Sequence, residues 1–353
     1  MKTTRRAVLQ MLGTLGVGGL VPSLWAGGKP QTMPSIIKPP RLQPGDTVGL
    51  ITPASPPFNV HQTLIAATEK MQNLGFRVKV GTHVGKKWGF LAGSDAERVA
   101  DIHAMLRDPE VKALIAVRGG YGSARLLPLL DKELIRKHPK IIVGYSDITA
   151  LGVGIFQLTG LVTFHGPVAI STFTDYTRRY FLEVLGNPDP VGEIADPPYE
   201  ANLQSSNRVW TIRGGTAQGR LIGGNLTLLV ATLGTPYEVD TNGRILFIEE
   251  VGEEPYDVDR MLTQLAHAGK LQQCAGIVFD RMPSIKPATY DPAFNSNLSV
   301  EEVVVDHVGK LGIPVCFGLS LGHVKHKPTL PNGILAELDA DKGRLRLLEG
   351  AVV

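Results

Sequence analysis

A serine at the mouth of a helix is the first residue in this chain whose setting suits chemistry. Ser146 lies in IIVGYSDITALG, where apolar Ile141, Ile142 and Val143 run into Gly144, Tyr145, Ser146 and Asp147, and then into a stretch with the apolar spacing of a helix. Acyl transfer needs a nucleophile on a sharp strand-to-helix turn, a base to take its proton, an acid to orient that base, and donors for the oxyanion. Gly144 lets the backbone turn tightly, and the amide of Asp147 at the helix start points at a developing negative charge. The second glycine of a G-x-S-x-G elbow is missing, with Ile148 in its place. A helix N-cap therefore accounts for Ser146 as well as a nucleophile does.

Ser123, in RGGYGSARLL, is the competing serine. The glycines before it suit backbone donors facing an anion, so Gly119 and Gly120 read as an oxyanion or carboxylate cradle and Ser123 as a cap. RGGYGS misses the G-x-G-x-x-G spacing and follows the third strand, which disfavours a dinucleotide site. Among nine histidines, His323 in LSLGHVKHKPTLPNG follows an apolar strand and a glycine. His326, between Lys325 and Lys327, reads as solvated, and His165 in TFHGP can reach the same cleft. For the orienting acid, RILFIEEVGEEPYDVDRM ends an apolar strand in Glu249, a place from which a carboxylate can hold an imidazole in one tautomer. Glu253 and Glu254 read as solvated or capping acids, and Asp257 and Asp259 as first-turn acids of the next helix.

These residues need strands and helices to hold them. From Asp46 onward short apolar runs alternate with amphipathic stretches. TVGLITPAS, FRVKVG, ALIAVRGGYGS and KIIVGYSD read as strands, HQTLIAATEKMQNLG and SDAERVADIHAMLRDP as helices, the second capped by Ser94, and SARLLPLLD as a short helix. Such alternation implies a parallel sheet covered on both faces, with ligands at the carboxyl ends of its strands. The GGYGS and GYSD loops are both at those ends. A Pro-, Asn- and acid-rich stretch over 186–214 reads as a linker. The expected fold class is α/β: a Rossmann/flavodoxin-like N-terminal domain over 46–185, plus a smaller β-rich α/β C-terminal domain over 215–353, closed by the hairpin ILAELDADKGRLRLLEG.

The N-terminus carries a different message. MKTTRRAVLQMLGTLGVGGLVPSLWAGG has Lys2, Arg5 and Arg6 ahead of a Leu/Val/Gly-rich run, the layout of an export signal of twin-arginine type over 1–27, with cleavage near Ala26. Its glycines and Pro22 make a poor permanent membrane helix, although an uncleaved anchor is the competing reading. A Pro-rich approach fills 28–45. The remaining chain is about 310 residues long, more than one core usually holds. A net charge of +3 with scattered basic residues implies no nucleic-acid partner. Cys274 and Cys316 are too few for a disulfide framework or a metal cluster, though they can pair with each other.

Taken together, ALIAVRGGYGSARLLPLLD, IIVGYSDITAL, TFHGP, LIGGNLTLL with LGTP, ILFIEEVGEEPYDVDRMLTQL and GLSLGHVKHKPTLPNG resemble, in order, the LD-carboxypeptidases: muramoyltetrapeptide carboxypeptidases, serine peptidases that remove the terminal D-alanine of murein tetrapeptides. The resemblance runs from about Pro44 to the end of the chain. It implies Ser146 as nucleophile, Glu249 as acid and His323 as base, with oxyanion donors from the backbone of Asp147 and the RGGYG loop, Gly120 above all. It implies a homodimer that needs neither metal nor cofactor, with serine from the N-terminal domain and glutamate and histidine from the C-terminal one. Arg118, beside the glycine loop, is then either a counter-ion for the D-alanine carboxylate or part of a structural ion pair. The chain departs from the family in having Glu249–Glu250 where Glu-Asp is common, and in an export signal where many members are cytoplasmic. Two other readings compete. A microcin C-type immunity hydrolase would need an aromatic platform for adenine, for which Trp88, Trp210 and Tyr237 are the candidates. A non-catalytic exported muropeptide-binding protein would close on its ligand between domains.

Overall fold

The computed structural model describes residues 34–197, 209–290 and 292–353; the expected export signal, the first residues of the 28–45 approach and the middle of the 186–214 stretch lie outside the described residues. The first half of the chain runs β1 (Thr47–Ile51), α1 (Val60–Asn73), β2 (Arg77–Val80), α2 (Asp95–Arg107), β3 (Val111–Ala116), a 3-10 helix (Ser123–Leu129), α3 (Lys132–Lys137), β4 (Ile141–Gly144), α4 (Ile148–Thr159), β5 (Thr163–His165) and α5 (Asp175–Gly186). The second half runs β6 (Gly192–Ile194), β7 (Trp210–Arg213), β8 (Thr216–Asn225), α6 (Leu226–Ala231), β9 (Ile245–Glu249), α7 (Pro255–His267), β10 (Gly276–Asp280), α8 (Val300–Val308), β11 (Val315–Leu319), β12 (Leu330–Asn332), β13 (Leu335–Asp339) and β14 (Arg344–Leu347).

The apolar runs of β1, β3 and β4 are buried almost without interruption, as strands covered on both faces must be. They form a six-stranded sheet in the order β12-β5-β4-β3-β1-β2, parallel except for β12. Without β12, this is the flavodoxin-like order, with its crevice where the connections reverse direction. Ser94 caps α2 through a capping box with Glu97, as its sequence predicts. SARLLPL winds as a 3-10 helix because Pro128 has no N–H to continue an α-helical ladder.

The second sheet is mixed and eight-stranded, in the order β6-β14-β13-β8-β9-β10-β11-β7. β8 to β11 are parallel at its centre and the β13–β14 hairpin pairs Ala336 with Leu347. Two expectations about the chain path change. The stretch read as a linker supplies β6 and β7, the two edge strands of this sheet. β12, from the C-terminal segment, crosses back to pair with β5, Leu330 opposite His165. The two sheets also meet where α4 begins, the amide of Asn225 donating to Thr149 Oγ1 at 3.0 Å. Cys274 and Cys316 are buried free thiols. Among the described residues no helix is long and apolar enough to cross a membrane.

Candidate active site

The serine turn is built from backbone. β4 ends at Gly144, and Ser146 adopts φ 64°, the left-handed region that a non-glycine residue rarely occupies. Gly144 serves the turn by its missing side chain: a Cβ there would meet Ile148 Cγ2 at 2.6 Å. The N-cap of α4 is Asp147, not Ser146, so a helix cap does not explain the serine. Asp147 in turn leaves its own helix uncapped. Its carboxylate accepts from the amides of Gly122 (3.1 Å) and Ser123 (2.8 Å), tying the glycine loop to the serine turn. Ser123 is likewise no cap. It is the first residue of the 3-10 helix, fully buried, and its hydroxyl donates to the Asp147 carbonyl. From the end of β1, Ser55 Oγ accepts from the Tyr121 amide at 3.1 Å. The loop is thereby set against the serine, and a Cβ on Gly119 would lie 3.3 Å from Ser146 Oγ.

The opposing side is built from buried side chains. β9 ends in Glu249, which is fully buried, and its Oε2 lies 2.7 Å from His323 Nδ1. Gly322 makes that approach possible, because a Cβ there would run into the Glu249 carboxylate. The Leu321 peptide just before it is clamped at both ends. Asp280 Oδ1 accepts from its N–H at 2.8 Å and His165 Nε2 donates to its carbonyl at 3.1 Å. That bond fixes the His165 tautomer, and full burial pushes its pKa down to about 4. His165 is therefore a neutral strut and not the base. Burial also works against a charged His323, but the hydrogen bond and charge of Glu249, with Glu250 and Asp280, outweigh it and leave its pKa raised. Burial and the neighbouring Glu249 charge push Asp280 up to about 7. Glu250 has a separate task, accepting from Asn225 Nδ2 (2.9 Å) and from the amide and hydroxyl of Thr227 (2.8 Å each) at the start of α6.

The two sides face one cavity of about 520 Å³, lined among others by Gly119, Gly120, Tyr145, Ser146 and His323. No Ser146–His323 hydrogen bond is formed among the described residues. Such contacts are often long without substrate and tighten when it binds. Arg118 lines the same cavity, donates to the Pro56 carbonyl at 3.0 Å and stacks over Phe58 at 4.7 Å. Among the described residues it pairs with no carboxylate. His326 is half-buried and 3.0 Å from Thr174 Oγ1, not simply solvated. Glu254 takes the N-cap position of α7 and Asp257 its first turn, while Asp259 lies further along and binds His307 Nε2 at 2.6 Å. None of Trp88, Trp210 and Tyr237 lines the cavity, and Trp210 packs on Phe317 at 5.6 Å. The roles of Asp280, Gly322 and the Asp147 side chain are absent from the sequence reading. Only the glycine of LSLGH, standing beside the histidine, signals one of them.

A strand-end serine opposed across a cavity by a Glu–His pair on a second sheet belongs to the hydrolase class of α/β proteins. The chain belongs to the LD-carboxypeptidase family of serine carboxypeptidases: residues 48–166 match its N-terminal domain and residues 218–338 its C-terminal domain. The Probable murein peptide carboxypeptidase of Bacillus subtilis strain 168 is 42% identical over 310 residues, covering 86% of this chain and 91% of that protein. Among solved structures, MccF in complex with glutamyl sulfamoyl guanosine superimposes with a TM-score of 0.81 at 26% identity, covering 90% of this chain and 99% of that one. The muramoyltetrapeptide carboxypeptidase from Oxalobacter formigenes gives a TM-score of 0.71 at 31% identity, covering 85% and 97%.

Proposed function

We propose that this enzyme hydrolyses the bond between meso-diaminopimelate and the terminal D-alanine of murein tetrapeptides through an acyl-enzyme on Ser146. The observation that carries this reading is the 2.7 Å contact between Glu249 and His323, held over the cavity that Ser146 lines. Glu249 keeps the proton of His323 on Nδ1, so that Nε2 can take the proton of Ser146 as its oxygen attacks the L-centre carbonyl. Backbone amides of Asp147 and Gly120 hold the oxyanion, His323 protonates the departing D-alanine, and a water molecule repeats the cycle on the ester. The raised pKa of His323 favours the imidazolium that forms in each half-reaction.

Lys2, Arg5, Arg6 and the apolar run behind them support export by the twin-arginine route. The peptides met there belong to intact or shed peptidoglycan, and the enzyme acts as a homodimer. A second reading, hydrolysis of an acyl-sulfamoyl nucleoside, is favoured by the likeness to MccF. One experiment separates these: mass spectrometry of a disaccharide-tetrapeptide incubated with the protein, beside a Ser146→Ala control. Loss of one D-alanine with the unmodified protein only is the expected result. An intact tetrapeptide with a folded protein overturns the substrate, and cleavage of an acyl-sulfamoyl nucleoside instead establishes the second reading.

A further inference from the structure

Lys327 plays no part in the acyl-transfer steps, yet it lines the catalytic cavity together with Ser146 and His323. It is only 5% exposed. Its backbone amide is anchored on Thr177 Oγ1 at 3.2 Å, in the first turn of α5, and its ammonium lies 5.2 Å from the centroid of Tyr145, the residue before the serine. Among the described residues no oxygen accepts a hydrogen bond from Nζ. A largely buried ammonium with only a ring face beside it is costly to hold in a folded protein, and this one borders the cavity. The two carboxylates whose charges reach it, Glu249 and Asp280, each hold a partner, His323 and the Leu321 amide, and their other oxygens form no hydrogen bond to it either. Burial lowers the pKa of Lys327, and the charges of Asp280 and Glu249 oppose that shift.

The other cations at the cavity are placed differently. Arg118 is held by the Pro56 carbonyl and the Phe58 ring, and Lys325 is exposed. Attraction to an incoming anion is strongest where water is excluded, and Lys327 is the cation in that position. A carboxypeptidase must recognise a free carboxylate one residue beyond the bond it cuts. We infer that Lys327 is the binding residue for the substrate's terminal carboxylate, which restricts the enzyme to peptides ending in a free acid. The inference rests on the carboxypeptidase reading of the site but not on the murein peptide as substrate.

The test uses N-acetyl-D-alanine and its C-terminal amide, bound to the Ser146→Ala protein and followed by NMR titration. The protein with Lys327 intact should bind the acid at least roughly tenfold more tightly than the amide. Lys327→Met, a near-isosteric change, should abolish that preference and leave amide binding within about twofold, while Lys327→Arg keeps the preference. Two results overturn the inference: no preference for the acid with Lys327 intact, or a preference that survives Lys327→Met. Cleavage of the tetrapeptide is measured separately, so its failure beside an intact carboxylate preference sinks the murein substrate alone.

Discussion

The two walls of the cavity are made by opposite means. The serine wall is backbone: a strand end, a left-handed residue and a glycine loop tied down by Asp147. The Glu–His wall is buried charge: Glu249 fully enclosed, Asp280 buried under the Leu321 amide, and His323 hydrogen-bonded to Glu249. Backbone strain and buried charge each cost stability, and each is placed where a reaction needs preorganisation. The contrast separates what should respond to pH from what should not.

Removing the proposed nucleophile should have the largest effect. Ser146→Ala should lower kcat by roughly 10⁴-fold or more with the fold intact, checked by D-alanine release and thermal unfolding. Glu249→Gln acts on the other wall and should lower kcat/KM by about 10²–10⁴-fold. It should also move the pH profile. His323 must be neutral to act as base, so activity falls as pH drops through its pKa, which lies above the ordinary histidine value in the native protein. Losing the Glu249 charge moves that acid limb to lower pH, whereas an unmoved limb would mean that Glu249 does not set the histidine.

Asp280→Asn tests the cost of buried charge. A carboxyl group raised to about 7 destabilises the fold as pH climbs from the ordinary carboxylate range near 4, and the cost is complete above about 7. The asparagine oxygen can still accept from Leu321. The variant should therefore match the native protein near pH 4 and exceed it by roughly 1–3 kcal/mol at pH 8, read by chemical denaturation at both values. The smallest effect belongs to the strained turn. Ser146→Gly relieves a positive φ and should be about 0.5–1 kcal/mol more stable than Ser146→Ala, with no dependence on pH between 5 and 8.

The two walls also differ in how much of them the sequence makes legible. Strands β1, β3 and β4 announce themselves as apolar runs, and Ser94 with Glu97 announces a helix start. GYSD and RGGYG mark the serine wall because glycines are visible wherever backbone is crowded. The left-handed φ at Ser146 is not visible, since the residue that bears it is not a glycine. Ser123 misleads because its hydroxyl is taken by a carbonyl of another loop, a contact between distant residues. On the charged wall, Glu249 is readable as the end of ILFIE and His323 from the glycine before it. Asp280 and Lys327 are not, because burial of a charge depends on which strands become neighbours. Lys327 carries no such signal in KHKP and is buried against Thr177 and Tyr145, residues distant in the chain. The return of β12 to the first sheet has the same cause: three residues, LPN, carry no periodicity to declare which sheet they join.

The proposed acyl transfer through Ser146 joins the two walls into one site. It is probed at its source by acid-quenched mixing of the protein with excess tetrapeptide, then intact-mass measurement and peptide mapping. A transient tripeptidyl ester on Ser146, absent from Ser146→Ala, is the expected result. An ester on any other residue, or D-alanine release undiminished in Ser146→Ala, would contradict it.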